Sequence, residues 1–253
     1  MRENRKLWDA WSEDFQAAWN ADAGEGELPP APIHYGPGFS EEKRLDPLPE
    51  LEGAAVLELG CGGGQASVGF AREGADHVVG VDVSTEQLTY ARRLGGTYGV
   101  EDRLRFLAGD VTALPLGADR FDLAFSSWVF QMVSDLEACF GEAARVLRPG
   151  GTLVFAVPHP YYELFDPETG ELERSYFDDA PERKSIGDLE PRLTVYHHTV
   201  GEIHRALVGE GFTVERLWEP GTGDPEAYRE QWSHKPELMA TVPPTLVAEA
   251  SLE

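Results

Sequence analysis

The chain has 253 residues, and 45 acidic against 21 basic side chains give it a formal net charge of −24. A surface this negative repels phosphate backbones and anionic membranes, which argues against nucleic acid or a lipid surface as a partner. The sequence contains neither about eighteen consecutive apolar residues nor a basic leader before an apolar run, so we expect no membrane span and no secretory signal.

The length fits one α/β domain with a modest cap. The two cysteines, Cys61 and Cys139, have neither metal-ligand spacing nor the numbers for a disulfide framework. We therefore expect no metal site and a reducing, cytoplasmic location.

The acidic residues are spread along the chain, and only four of the basic residues are lysines. Scattered acidity with scarce lysine resembles the proteins of salt-loving microbes, since molar salt shortens the Debye length to ~3 Å and screens the repulsion. We expect a halophilic protein. An ordinary acidic protein remains the alternative.

The N-terminal residues predict an amphipathic helix, because apolar side chains recur there at helical spacing. These side chains are Leu7, Trp8, Trp11, Phe15, Ala18 and Trp19. Such an aromatic stripe is more typical of packing, as a lid over a core or cleft, than of stacking on a substrate. Residues 21–39 are rich in Gly and Pro and predict a loop. Ser40 and residues 43–51 then suggest a capped helix before the first strand.

Strands and helices alternate from residue 54 onward, which predicts a doubly wound, mostly parallel sheet with helices on both faces. The predicted strands are 54–59, 77–82, 103–108, 121–126 and 151–157, and the predicted helices are 65–73, 84–98 and 135–147. A helix near 199–210, a strand near 212–218 and an apolar run at 244–248 complete the pattern.

The first predicted strand leads into Glu58-Leu59-Gly60-Cys61-Gly62-Gly63-Gly64-Gln65, with four glycines within five residues. Glycines let the backbone turn sharply and approach a ligand, and the following helix presents unpaired N–H groups to it. Asp82 ends the next strand, where a carboxylate can accept hydrogen bonds from a ribose diol. Dinucleotides and S-adenosylmethionine are both bound in this way, but the dinucleotide fingerprint requires a glycine where Gln65 stands. An NAD-dependent oxidoreductase is therefore the weaker alternative.

The pattern Glu-x-Gly-x-Gly-x-Gly resembles motif I of the class I S-adenosylmethionine-dependent methyltransferases, in particular their small-molecule (type 11) group. Further segments between residues 50 and 160 match the family in order and at its spacing. They are Asp82-Val83-Ser84, Gly109-Asp110-Val111, Phe121 to Ser127, and Arg148-Pro149-Gly150-Gly151. The resemblance implies a Rossmann-like sheet of seven strands, mostly parallel, whose last two strands form an antiparallel pair at its end.

The resemblance also implies a site for S-adenosyl-L-methionine around the glycine loop. It implies that Gly60 and Gly62 approach the methionine part of the cofactor and that Cys61 between them is also a cofactor-binding residue. Glu58 would support the loop, and Gln65 would open the following helix.

Two further loops are implied to hold the nucleoside. Asp82 would take the ribose hydroxyls, Gln87 would lie near the adenine edge, and Val83 would be a further cofactor-binding residue. Asp110 and Val111 would hold the adenine. The simpler alternatives are a helix N-cap for Asp82 and a turn residue for Asp110.

Ser126 and Ser127 are implied to hold the cofactor's ammonium through backbone carbonyls. The chain continues as Trp128-Val129-Phe130, with Met132 beyond, where methyltransferases of exposed amino groups often carry Asn/Asp-Pro-Pro-Tyr. This apolar stretch favours a small-molecule acceptor with an apolar body. The alternatives are a tRNA or protein methyltransferase, which would need a basic patch, and a cofactor-binding protein without transfer activity.

Methyl transfer requires proximity, in-line alignment and a dry pocket, and a base only when the acceptor is protonated. His159 follows the fifth strand directly and is the predicted catalytic base. His197 and His198 are further candidates, although packing is the simpler role for each histidine. Tyr161 and Tyr162 lie beside His159, and His34 with Tyr35 could contact the cofactor carboxylate.

The predicted organisation has four parts. Residues 1–50 form an N-terminal helix and loop that cap the site, and residues 51–158 form the cofactor-binding core. Residues 159–198, rich in Pro, Asp, Glu and Tyr, are an insertion that leaves the carboxyl end of the sheet and forms a substrate lid. Residues 199–253 supply the last helix and two strands of the same core.

Overall fold

The computed structural model describes residues 2–19, 28–29, 32–37, 47–166, 169–228 and 235–253. The strands, in chain order, are β1 (Ala55–Leu59), β2 (His77–Asp82), β3 (Leu104–Ala108), β4 (Phe121–Ser127), β5 (Leu147–Pro158), β6 (Glu182–Lys184), β7 (Leu193–Val195), β8 (Phe212–Trp218) and β9 (Thr245–Leu252). The helices are α1 (Arg2–Trp19), α2 (Gln65–Arg72), α3 (Thr85–Tyr98), α4 (Leu136–Val146), α5 (Val200–Gly209) and α6 (Pro236–Met239).

Seven strands form one sheet in the order β3-β2-β1-β4-β5-β9-β8. The first five strands are parallel, β9 runs antiparallel to β5, and β8 runs antiparallel to β9. The predicted fold, a Rossmann-like and mostly parallel sheet that ends in an antiparallel pair, is confirmed. Strands β6 and β7 form a separate hairpin inside the predicted insertion.

The predicted element bounds agree with the structure closely, with two exceptions. Strand β5 begins at Leu147, where it already pairs with Phe121 of β4, whereas the prediction began it at residue 151. The predicted helix at 43–51 is wrong for residues 47–51, which are irregular; residues 40–46 lie outside the described residues. Pro47 and Pro49 lack an N–H and disfavour a helix interior.

Apolar side chains pack on both faces of the sheet. On one face Phe155 of β5 contacts Phe140 of α4, and on the other Phe125 of β4 contacts Phe70 of α2 with ring centroids 5.1 Å apart. All four side chains are fully buried. Because both faces are covered near β1 and β4, the strand ends there are held rigidly and can position a site.

Helix α1 lies across the carboxyl ends of β2 and β4. Its Asp9 carboxylate accepts from the Ser84 hydroxyl just after β2 (2.8 Å), and its Trp8 indole donates to the Met132 sulfur beyond β4 (3.4 Å). Near its start, the Asn4 side chain donates to the Thr194 carbonyl of β7 (2.8 Å) and accepts from the Thr194 N–H (2.7 Å). The N-terminal helix is thus tied to the core and to the insertion.

The aromatic side chains of α1 contact one another along the helix. Ring centroids lie 5.0 to 5.8 Å apart through the series Trp8, Trp11, Phe15 and Trp19. These rings are half-buried, so they form an apolar surface over the carboxyl end of the sheet.

Candidate functional site

The glycine loop between β1 and α2 is held against the end of β2. The N–H groups of Gly60 and Cys61 both donate to the Val81 carbonyl, at 2.8 and 3.1 Å. Gly60 has a φ of +74°, and a Cβ there would collide with the Val129 side chain. Any side chain at this position would therefore be strained and would push away the segment that follows β4.

Asp82 ties this loop to the start of α3. Its Oδ2 accepts from the Gly62 N–H (2.9 Å) and its Oδ1 from the Ser84 N–H (2.8 Å). Burial raises the pKa of the Asp82 carboxyl, while these backbone N–H groups act in the opposite direction. The N-cap of α3 is Ser84, whose hydroxyl accepts from the Gln87 N–H (3.1 Å). Asp82 therefore does not serve as the helix cap.

Glu58 is buried at the end of β1 and accepts from the Ser67 hydroxyl of α2. Burial raises the pKa of this carboxyl to about 8, and the hydrogen bonds from Ser67 only partly offset that rise. Glu58 is therefore mostly protonated at neutral pH. It links β1 to α2 beneath the glycine loop.

Three buried glutamines form a chain of hydrogen bonds across the loop. Gln65 Nε2 donates to Gln16 Oε1, and Gln16 Nε2 donates to Gln87 Oε1, each at 2.6 Å. Gln16 also packs against Gly63, where a Cβ would collide with its amide. The amide nitrogen of Gln87, Nε2, has no hydrogen-bond partner among the described residues.

Gln16 is not among the site residues predicted from the sequence. A signal was present, since Asn4, Ser12 and Gln16 are buried polar residues at multiples of four along α1. Residues at such spacing lie on one side of a helix.

Asp110 lies in the turn after β3. Its Oδ1 accepts from both the N–H and the hydroxyl of Thr112, at 2.9 and 2.8 Å. Its Oδ2 accepts no hydrogen bond from the residues that the structure describes, and the following Val111 is buried. Asp110 therefore stabilises a turn, as the simpler alternative predicted, and its second carboxylate oxygen is available to a ligand.

The end of β4 lies beside the glycine loop. The Ser126 hydroxyl donates to the Leu59 carbonyl of β1 (2.9 Å), and Ser127 is half-buried at the end of the strand. Trp128 follows with a φ of +59°, a conformation that side-chain-bearing residues adopt rarely and mostly at functional sites. Its N–H donates to the Ala156 carbonyl of β5 (2.8 Å). The carboxyl ends of four neighbouring strands thus bring together the side chains of Glu58, Asp82, Asp110 and Ser126.

Comparison with known proteins agrees with this geometry. Residues 57–155 match the family model described as a methyltransferase domain. Residues 57–155 are a methyltransferase domain. A solved S-adenosylmethionine-dependent methyltransferase from Mesorhizobium loti is 28% identical, with a TM-score of 0.65, and the match covers 81% of this chain and 94% of that one. The predicted class I, S-adenosylmethionine-dependent group is confirmed for this domain, and the oxidoreductase alternative is set aside.

Two further relatives extend the comparison. A putative S-adenosylmethionine-dependent methyltransferase from Listeria monocytogenes has the same fold at 23% identity, with a TM-score of 0.68 over 82% of this chain and 93% of that one. A malonyl-[acyl-carrier protein] O-methyltransferase of Pectobacterium atrosepticum is 33% identical over 137 residues, which are 54% of this chain and 49% of that protein. The chain spans about half the length of the curated relatives it matches.

His159 lies at the carboxyl end of the methyltransferase domain with both ring nitrogens engaged. Its Nε2 lies 2.8 Å from a Glu219 carboxylate oxygen, and its Nδ1 accepts from the Tyr161 N–H (3.1 Å). Nε2 therefore carries the proton. Burial lowers the pKa of His159, although Glu219 acts against that effect. The catalytic role of His159 stays a prediction.

His197 and His198 differ from His159 because their Nδ1 atoms are free. His197 and His198 each place Nε2 against a backbone carbonyl, those of Tyr176 (3.0 Å) and Val133 (2.7 Å). A carbonyl only accepts, so Nε2 carries the proton and Nδ1 keeps a free lone pair. Burial lowers the pKa of both rings, which keeps them neutral near pH 7.

His34 and Tyr35 lie in the short described segment that precedes the domain. His34 Nδ1 accepts from the Gly36 N–H (3.0 Å), and burial lowers the pKa of His34. The Tyr35 ring is buried against Phe125, with centroids 5.8 Å apart. Their contact with a cofactor stays a prediction.

Other expectations concern metal and membrane sites. Over the described ranges, no group of three or more His, Cys, Asp or Glu side chains is arranged to hold a metal ion. None of the described helices combines the length and apolarity needed to cross a membrane. Cys61 and Cys139 are both buried and form no disulfide.

The raised pKa of Glu58 makes stability depend on pH. Between pH 4.5 and 8 the folded chain keeps a proton that the unfolded chain releases, so the free energy of unfolding falls as pH rises through this window. Glu58→Gln keeps an acceptor for Ser67 and removes the titration. We expect the variant to gain stability relative to the parent as pH rises, by an amount of the order of a few kcal/mol near pH 8.

Urea unfolding at several pH values tests this prediction, and the readout is the difference between variant and parent. Glu13→Gln, an exposed change on α1, is the matched control and should follow the parent at every pH. Parallel pH profiles for Glu58→Gln and the parent would show that Glu58 does not titrate in this window.

Proposed function

We propose that the chain is an S-adenosylmethionine-dependent methyltransferase that transfers a methyl group to a small-molecule acceptor. The observation that carries the proposal is Asp82, whose carboxylate holds the glycine loop at the carboxyl end of β2 and still has acceptor sites free. A carboxylate offers about four such sites, and the backbone N–H groups of Gly62, Ser84 and Val83 donate to this one. The acceptor capacity that remains suits a hydroxyl of a ribose.

The neighbouring residues fit the same cofactor. Gln87 Nε2 is a buried donor without a partner among the described residues, and an acceptor atom of a ligand would satisfy it. A Cβ at Gly62 would meet nothing closer than 3.8 Å, so the loop is open beside Gln87. Asp110 Oδ2 and the Val111 N–H would hold the adenine, while the glycine loop, Val83 and the carbonyls of Ser126 and Ser127 would hold the rest.

The cofactor supplies a methyl group that is activated by its sulfonium. The task of this chain is then to position the two reactants and to exclude water. We propose that residues 1–50 cap the site through α1, since Gln16 bridges two cofactor-side glutamines. The insertion 159–198 would form the lid over the acceptor, because Thr194 in its hairpin bonds to Asn4 of α1.

The acceptor side is apolar. Val129 packs on Gly60, and the Met132 sulfur accepts from Trp8, so apolar side chains lie between the loop and the cap. This favours a small acceptor with an apolar body over a nucleic acid. One relative, from Pectobacterium atrosepticum, is named a malonyl-[acyl-carrier protein] O-methyltransferase. That name is compatible with an acceptor of this class. A tRNA or protein methyltransferase remains the second candidate.

The base, where the acceptor needs one, is proposed from the histidines. His159 remains the first candidate by position, and it can accept a proton only if the Tyr161 N–H releases Nδ1. His198 has Nδ1 free already. Replacing each by glutamine, once an acceptor is known, identifies the base as the residue whose loss lowers kcat at unchanged KM.

A ligand titration tests the proposed cofactor. We expect S-adenosylmethionine and S-adenosylhomocysteine to raise the thermal midpoint while NAD does not; at about a hundred times the dissociation constant the gain is ~2.7 kcal/mol. Asp82→Asn removes the charge that strengthens its hydrogen bonds. The substitution should lower the binding affinity for both adenosyl ligands roughly tenfold to a hundredfold.

Asp76→Asn is the matched control, an exposed change at the other end of β2, and it should bind like the parent. Stabilisation by NAD alone, or full affinity in Asp82→Asn, contradicts the proposal. A cofactor-binding protein without transfer activity would give the same titration but no methylated product from any acceptor.

We also propose that the acidic surface is an adaptation to high salt, in a reducing cytoplasm that suits two buried free cysteines. Since salt screens the repulsion among 45 acidic residues, the thermal midpoint should rise in molar KCl. A midpoint that falls or stays level in KCl leaves the ordinary acidic protein as the better description.

A further inference from the structure

A groove runs over the amino ends of β1, β2 and β4, at the end of the sheet opposite to the proposed cofactor site. Its floor is apolar and includes Val79, Leu107 and Leu116. Its rim carries Arg105, Arg120 and Arg148. We call it the amino-end groove; the proposed function does not use it.

The floor of this groove is a continuation of the core. Val79 belongs to the cluster of buried side chains that α4 and α5 cover, and Leu107 and Leu116 are partly buried at the margin of that cluster. A parallel β–α–β connection normally places a helix over the sheet. Residues 109–120, which connect β3 to β4, contain no helix. The sheet face beside β3 therefore lacks the layer that covers it elsewhere.

The rim is cationic in a chain of net charge −24. Arg105 and Arg120 are exposed, and neither forms an ion pair with any described residue, whereas Arg148 is paired with Asp122. Three arginines face two aspartates, Asp76 and Asp122, among the lining residues. Charge complementarity at such a surface favours an acidic partner.

The size of the groove suits a helix. Its cavity volume is about 650 Å³. A helix about 10 Å wide with a rise of 1.5 Å occupies roughly 120 Å³ per residue. About five residues of a helix would therefore fill the groove, and a longer helix would extend along its rim.

We propose that the amino-end groove docks an acidic amphipathic helix of a partner protein. The helix would supply the layer that the β3–β4 connection lacks. Its apolar side, with residues at i, i+3, i+4 and i+7, would cover Leu107 and Leu116, and its flanking carboxylates would face Arg105 and Arg120. Docking there leaves the carboxyl end of the sheet free, so the partner can bind while the proposed cofactor site is occupied.

The test uses two synthetic helical peptides of three turns with the same leucines at i, i+3, i+4 and i+7. One carries glutamates on the flanking positions and the other carries lysines. Fluorescence anisotropy with the full chain measures binding at about 0.15 M salt, where a Debye length of about 8 Å screens the distant acidic residues but not the contacts at the rim. We expect the glutamate peptide to bind, the lysine peptide to bind more weakly, and Arg105→Glu with Arg120→Glu to weaken the glutamate peptide by about tenfold or more.

Arg192→Glu, an exposed charge reversal outside the groove, is the matched control. Arg105→Gln with Arg120→Gln should give a smaller loss in the same direction, and an unchanged thermal midpoint shows that each variant folds. Failure of the glutamate peptide to bind, equal binding of the lysine peptide, or insensitivity to the double reversal overturns the proposal. A dimer in sedimentation that the double reversal dissolves would assign the groove to a second copy of this chain and also overturn it.

Discussion

The hydrogen bond from the Gly62 N–H to the Asp82 carboxylate, 2.9 Å long, fixes the glycine loop on the end of β2. Together with the bonds from Gly60 and Cys61 to the Val81 carbonyl, it sets the direction in which the chain leaves β1. Helix α2 therefore begins at Gln65 beside the loop, and Gln16 of α1 can reach across to it. The cap, the loop and α3 form one rigid unit because these bonds leave the loop little freedom.

Two carboxyls in this unit have different environments. Asp82 is half-buried and accepts from backbone N–H groups, whereas Glu58 is fully enclosed and accepts only from Ser67. Burial without a compensating charge favours the neutral acid. Glu58 therefore acts at neutral pH as an uncharged link between β1 and α2, whereas Asp82 faces the proposed nucleoside.

Most of the fold could be predicted from the sequence because its signals are local. Alternating apolar runs marked β1 to β4 within about a residue, and the glycines marked the loop. The failures were of two kinds. The predicted helix is absent over residues 47–51, where Pro47 and Pro49 are a local signal against it. The hydrogen bonds of Gln16 to Gln65 and Gln87 join residues far apart in the chain. The same is true of the bond between His159 and Glu219, so no local pattern reveals either.

The two ends of the sheet have different characters. At the carboxyl end, α1 lies over a group of buried polar side chains, while the amino end is open, apolar in its floor and cationic at its rim. Ligands of open α/β sheets bind outside the carboxyl ends of the strands. The arrangement therefore separates the proposed chemistry from any surface for a protein partner.

A crystal structure with S-adenosylhomocysteine tests the central claim most directly. The account predicts ribose hydroxyls within hydrogen-bond distance of the Asp82 carboxylate, adenine against Asp110 and Val111, and the Gln87 amide nitrogen bonded to the ligand. A ligand bound elsewhere, or one whose ribose does not contact Asp82, would contradict it.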